Sequence, residues 1–157
     1  MSEQEFVRRT QALRMRLYRT AYAYLGGEAA ALDAVDEAVY QALRHLRQLR
    51  EPELFETWLT RILIRACCRE LKRLRRLHPA EYLPEAGEDF DYDALPLREA
   101  VARLPQELRQ VIVLRYFGDL TLAQTAETLG IPQGTAATRQ RRALALLRLE
   151  LKEGGPV

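Results

Sequence analysis

A chain of 157 residues, 48% hydrophobic and with a formal net charge of +2, can form one domain or two small ones and is too apolar to be a disordered tail. It holds no run of about 18 apolar residues, and its first residues, MSEQEF, lack a signal-like apolar segment, so a cytoplasmic protein without membrane insertion is expected. Cys67 and Cys68 are adjacent, and neither His45 nor His78 has ligand-like spacing, so no metal site and no cofactor are expected.

Residues 1–76 carry 15 Lys/Arg against 10 Asp/Glu. Ser2 and Glu5 form a capping-box pair for a first helix, which runs through Leu13, Leu17, Tyr18, Ala21 and Tyr24 to a break at Gly26-Gly27. A second helix is expected from about Glu28, with Leu32, Val35, Val39, Leu43 and Leu46 as its buried stripe. Its other side shows Asp33, Glu37, Tyr40 and Arg44. Asp33, Asp36 and Glu37 place three carboxylates within five residues, either as a solvated face or as a docking surface for a basic partner. Arg50-Glu51-Pro52-Glu53 is expected to end this helix, because proline disfavours helical angles in the residue before it.

A third helix is expected over about Leu54–Arg76. Arg61, Arg65, Arg69, Lys72 and Arg76 fall within roughly 80° on a helical wheel and make a basic ridge. Phe55, Leu59, Ile62, Leu63, Ala66 and Cys67 face the core side, and Trp58 sits at the ridge margin. Cations without interleaved acids repel one another unless a polyanion joins them. An aromatic beside such a ridge suits single-stranded nucleic acid, although burial is the commoner fate of tryptophan. The cysteines are expected to be small buried hydrophobes in a reducing compartment, with a thiol sensor as the alternative.

Residues 77–96 contain three prolines, six acids and no Lys/Arg, which marks a linker with little regular structure that tethers two lobes. Tyr82, Phe90 and Tyr92 exceed what a spacer needs. The acids could mimic a nucleic-acid backbone or lie on the basic faces of the lobes.

Residues 97–157 carry 9 Lys/Arg against 6 Asp/Glu. A helix over Leu97–Arg103 precedes one from Gln106, carried by Leu108, Val111, Ile112, Arg115 and Tyr116 to Gly118. Thr121–Arg142 then has the pattern of a helix-turn-helix. Thr121 and Gln124 make a capping box, Leu122, Ala126 and Leu129 follow helical spacing, and Gly130 reverses the chain. Ile131-Pro132 restarts it. The last helix buries Ala136, Ala143, Leu144, Leu147 and Leu151. It turns Thr135, Thr138, Arg141 and Arg142 outward, with Arg139 at the boundary. Arg can pair with guanine and Thr can touch a thymine methyl, so this face suits a major groove.

The order of these segments resembles a bacterial sigma factor of the extracytoplasmic-function class, the two-domain type of the sigma-70 family. The resemblance rests on Asp33-Ala-Val-Asp-Glu37 with Leu43, and on Phe55-Glu-Thr-Trp-Leu-Thr-Arg-Ile62, close to F-x-T-W-L-x-x-I. It continues in Leu104-Pro-Gln-Glu-Leu-Arg-Gln-Val111, Leu114-Arg-Tyr116 and Gly134-Thr-Ala-Ala-Thr-Arg139 followed by Arg142-Ala143. Arg65 and Arg69 replace the Asn and Asp of many relatives, and Ala137 replaces a frequent basic residue, which leaves the promoter sequence open.

The resemblance implies an all-α chain of two helical domains joined by a flexible acidic linker, 77–96: a three-helix domain, residues 1–76, binding core polymerase and the −10 element, and a four-helix domain, residues 97–157, binding the −35 element. It implies polymerase contacts at Asp33, Asp36, Glu37 and Tyr40, toward the clamp helices, with the flap as a further contact of core RNA polymerase. It implies −10 contacts at Phe55, Trp58, Arg61, Arg65, Arg69, Lys72 and Arg76, and −35 contacts at Thr135, Thr138, Arg139, Arg141 and Arg142. An anti-sigma factor is a further implied partner, in a stress or envelope response. The alternatives are a helix-turn-helix regulator that does not dock on polymerase, for which coiled-coil heptads are lacking, and a small helical enzyme, for which no phosphate loop or catalytic constellation is present.

Overall fold

The computed structural model describes residues 1–149, so the predicted core residue Leu151 lies outside the described part. Seven α-helices and no strands are found among the described residues: α1 (Glu3–Leu25), α2 (Glu28–Arg44), α3 (Phe55–Leu77), α4 (Leu97–Arg103), α5 (Gln106–Ile112), α6 (Leu122–Leu129) and α7 (Gln133–Leu147). None is long and apolar enough to cross a membrane.

Helices α1 to α3 form the first lobe. Ser2 Oγ accepts from the Glu5 amide at 3.1 Å, one half of the expected capping box, while the Glu5 carboxylate pairs with Arg8 and Arg9 instead of returning to Ser2. On α2 the expected stripe holds in part: Val35 is buried and Val39 and Leu46 are half-buried against the core. Leu32 and Leu43 are exposed, and the buried positions are Ala30, Ala31, Ala34, Val35, Ala38 and Ala42. Small side chains let α2 lie close to both α1 and α3, a fit that larger residues at those positions would obstruct. The helix also ends at Arg44, earlier than the proline predicts. His45 closes it by bonding back to the Gln41 carbonyl, and a 3₁₀ turn, Leu46–Gln48, follows.

The second lobe packs α5 and α6 against α7. Past Ile112, α5 widens into a π turn over Val113–Phe117, closed by the Gly118 amide on the Val113 carbonyl at 2.9 Å. A Cβ at Gly118 would stand 2.9 Å from the Leu114 carbonyl and 3.1 Å from Thr20 Oγ1, so glycine permits the close approach of α1.

Two arginines, Arg109 and Arg115, are core residues of this lobe. Arg115 is 1% exposed and donates from Nε to Gln140 Oε1 at 2.7 Å and from Nη1 to the Leu120 carbonyl at 3.1 Å. It thereby fixes α7 relative to the turn before α6. Arg109 is wholly buried, donates to the Leu104 carbonyl and Glu85, and lies 4.9 Å above the Tyr24 ring of α1.

The lobes share one apolar cluster. Leu17, Ala21 and Tyr24 of α1 belong to it, together with Val113, Leu114 and Leu120. Segment 78–96 lies between the lobes with little regular structure beyond a 3₁₀ turn, Tyr92–Ala94. Its surplus aromatics have structural work. Tyr92 is buried and donates to the Ala86 carbonyl at 3.0 Å, and the Phe90 ring stacks edge-on against Tyr92 and lies 4.7 Å below the Arg103 guanidinium.

Candidate nucleic-acid interface

The ridge on α3 stands as predicted: Arg65, Arg69, Lys72 and Arg76 are exposed and Arg61 is half-buried. Trp58, Arg61, Arg65 and Arg69 come together with Glu37, Gln41, His45 and Gln48 around a cavity of about 560 Å³ between α3 on one side and α2 with the 3₁₀ turn on the other. Lys72 and Arg76 continue the ridge about one and two turns beyond Arg69. Trp58 is half-buried, with part of its ring available to the cavity. A ring wall, the guanidinium groups of Arg65 and Arg69 and a polar rim can accept a flat base and its flanking phosphates.

Phe55 cannot be a contact of that kind. It is 1% exposed and packs edge-on against Phe6 at 5.8 Å, because it opens α3 on the side facing α1. The resemblance-based assignment of Phe55 to DNA is therefore corrected to a core role, in accord with its place on the helical wheel. Ile62, expected in the core, is half-buried and lines the same cavity.

On α2, Asp33, Asp36, Glu37 and Tyr40 are all exposed. Asp36 accepts from Arg14 Nη2 at 3.1 Å, and Glu37 accepts from Gln41 Nε2 at 2.9 Å. Leu32 and Leu43, displaced from the predicted stripe, stand on this exposed surface with Tyr40. The acidic face thus has an exposed apolar component as well. Glu37 also borders the ridge cavity, so the acidic face and the basic face adjoin.

The second candidate face is α7. Both halves of the Thr121–Gln124 capping box are present, at 3.1 and 2.9 Å, and Gly130 takes the left-handed conformation (φ +68°) that the turn requires. Pro132 precedes the first turn of α7 as its cap residue, one position earlier than the sequence suggests. Thr138, Arg141 and Arg142 are exposed, and Thr135 and Arg139 are half-buried. Arg141 Nη2 donates to Thr138 Oγ1 at 3.2 Å, while that hydroxyl donates to the Gly134 carbonyl at 3.0 Å. Arg139 reaches Glu107 at 3.9 Å. The opposite side, with Ala136, Ala143, Leu144 and Leu147, is buried as predicted.

The ridge is also joined to the helix-turn-helix lobe, by contacts that no local pattern in the sequence marks. Arg61 donates from Nε to the Thr128 carbonyl at 3.0 Å and from Nη2 to the Glu127 carbonyl at 2.7 Å, capping the C-terminal end of α6. At the same junction, the Cys68 thiol lies 3.1 Å from the Tyr24 hydroxyl and 3.3 Å from Gln110 Nε2. Cys67 is fully buried, and burial holds its thiol well above the ordinary range. No cluster of three or more potential metal ligands is found among the described residues.

The comparisons with known proteins follow this division. Residues 10–77 match sigma-70 region 2, and residues 100–149 match sigma-70 region 4. The chain is 34% identical over 139 residues to the RNA polymerase sigma factor SigV of Bacillus subtilis, across 85% of this chain and 83% of the relative. It is 29% identical over 160 residues to the ECF RNA polymerase sigma factor SigW of the same organism, across 88% and 84%. The RNA polymerase sigma-E factor of Streptomyces coelicolor is 30% identical over 154 residues, across 94% and 85%. Among solved structures, the sigma factor RpoE of Bartonella quintana, crystallised with the anti-sigma factor NepR, matches with a TM-score of 0.63. That match covers 90% of this chain and 97% of the other at 21% identity, a likeness of fold. Regions 2 and 4 thus fall in order on the lobe with the ridge and the lobe with the helix-turn-helix, and the chain belongs to the sigma-70 family as an RNA polymerase sigma factor of the extracytoplasmic-function class.

Proposed function

We propose that this sigma factor directs initiation by recruitment, with no covalent chemistry of its own, and divides promoter recognition between its two faces. Asp33, Asp36, Glu37 and Tyr40 on α2, joined by Leu32 and Leu43, dock on core RNA polymerase at its clamp helices, and the second lobe meets the flap. Arg61, Arg65, Arg69, Lys72 and Arg76 follow the phosphates of the melted non-template strand at the −10 element. Trp58 and the adjoining cavity hold an unstacked base. Extruding a base costs a few kcal/mol, which phosphate contacts and a preformed pocket offset. Thr135, Thr138, Arg139, Arg141 and Arg142 on α7 enter the major groove of the −35 element.

The observation that carries this reading is the pairing, in one chain, of a ridge beside an aromatic-walled cavity with an exposed recognition helix. Such a protein works in the cytoplasm beside polymerase and DNA. An anti-sigma factor is its natural restraint, by analogy with the RpoE complex, in a stress or envelope response. Footprinting of the reconstituted holoenzyme tests the division of labour. Protection at two elements about two helical turns apart, with permanganate-reactive thymines only in the downstream one, is expected. A single protected element without melting would contradict it.

A further inference from the structure

Arg142 is one of the residues proposed to read duplex DNA, and in this chain it is already occupied. Its Nη2 donates to Glu88 of the connector at 2.9 Å, and at the end of α7 Arg148 Nη1 donates to Asp93 at 2.6 Å. Further contacts hold the connector against the second lobe. The Ala86 amide bonds to the Arg103 carbonyl at 2.7 Å, Tyr92 is buried beneath it, and Arg103 Nε donates to the Pro84 carbonyl at 2.8 Å. Residues that anchor the segment therefore alternate with acids that it presents to α7.

We propose that the connector is a built-in competitor for promoter DNA, with Glu88 standing where a phosphate approaches Arg142 of α7 and Asp93 covering the cation of Arg148 just past the end of that helix. The idea rests on the reading above that α7 meets duplex DNA. A carboxylate on a guanidinium makes the same charge-assisted contact that a phosphate makes. Both pairs are solvent-exposed, with side chains 54% and 69% accessible for Arg142 and Glu88, so each contact is weak. Tethering compensates by holding the acids at a high effective concentration, so they restrain the free chain yet yield when polymerase positions DNA on the same helix. The acids of the connector then have two uses, as a solvated tether in the holoenzyme and as a cover for α7 in the free chain.

The test is fluorescence anisotropy of the full chain, without polymerase, on a labelled duplex taken from the holoenzyme's upstream footprint. Three proteins are compared: wild type, the double variant Glu88→Gln with Asp93→Asn, and the charge-matched control Glu81→Gln with Asp89→Asn. No ion pair involves Glu81 or Asp89 among the described residues. Removal of the two contacts is expected to tighten duplex binding roughly 3- to 10-fold, with the control within about twofold of wild type. Equal gains in both variants would reduce the effect to net charge and overturn the proposal, as would no gain in either. Promoter-specific transcription by the wild-type holoenzyme separately checks the reading on which the proposal rests, so the two failures are distinguishable.

Discussion

Arg61 caps the helix that Thr128 helps to end: its Nε lies 3.0 Å from the Thr128 carbonyl, although the two residues belong to different lobes. The same guanidinium sits on the ridge proposed to hold a single strand, and a second cavity of about 380 Å³ is walled by Trp58, Arg61 and Glu127. Separating the lobes leaves the last carbonyls of α6 without this partner and opens the crevice beside Trp58. Arg61→Ala is therefore expected to shift the emission of the single tryptophan to the red and to speed Cys68 alkylation several-fold, relative to wild type. Identical emission and alkylation rates in the two proteins would show that Arg61 does not hold the lobes together.

Arg115 is a structural arginine, and its removal should harm the fold before it harms any contact with DNA. Arg115→Ala leaves Gln140 Oε1 and the Leu120 carbonyl unpartnered and opens a cavity, a loss of about 2–4 kcal/mol. Urea unfolding should show this loss directly. A surface role, with stability unchanged, would contradict the placement.

The buried Cys67 thiol predicts a pH effect of defined sign. Burial, with Cys68 and Glu70 nearby, raises its folded pKa above the unfolded value of about 8.5. Above that value the unfolded chain loses a proton that the folded chain keeps. Stability is thus complete below about pH 8.5 and falls as pH rises further, by at most about 1.4 kcal/mol per unit from this group. Unfolding curves under reducing conditions between about pH 7 and pH 10 should show the decline, with a shallower slope in Cys67→Ala. Parallel slopes would assign the effect elsewhere.

Arg141 and Arg142 are exposed on the outer side of α7, and Arg141 is positioned by Thr138. Arg141→Ala or Arg142→Ala should weaken recognition of the upstream element by about 1–3 kcal/mol if the contacts are bidentate to bases. Promoter competition assays with the holoenzyme measure the change. Unchanged selectivity in both variants would remove them from base readout.

What could be read from the residues alone was what depends on neighbours in sequence. The Thr121–Gln124 box, the Gly130 reversal and the ridge on α3 are set by spacing along one helix, and the structure has each of them. On α2 the spacing predicts Val35 correctly, but its other buried positions are alanines, which gain burial only from the nearness of α1 and α3, whereas Leu32 and Leu43 are apolar yet face outward. Arg109 and Arg115 escaped notice because arginine is rarely fully buried without partners supplied from distant parts of the chain. Phe55 was assigned to DNA by resemblance, although its position on the wheel already pointed to the core. The clasp of Arg61 on α6 joins residues 66 and 67 positions apart, and no local pattern announces it.

On the proposed function, this chain gives promoter specificity to polymerase through the acidic face of α2 and the two DNA faces beyond it. Asp36 and Glu37 are exposed, so Asp36→Lys with Glu37→Lys should leave the fold intact while reversing the charge presented to the clamp. Run-off transcription with purified core polymerase is the most direct measurement. The account predicts specific transcripts with the wild-type chain and at least about a tenfold loss with the double variant, in step with lost co-purification, as expected when charges facing a partner are reversed. Full transcription by the variant, or no promoter-specific transcript with the wild-type chain, would contradict it.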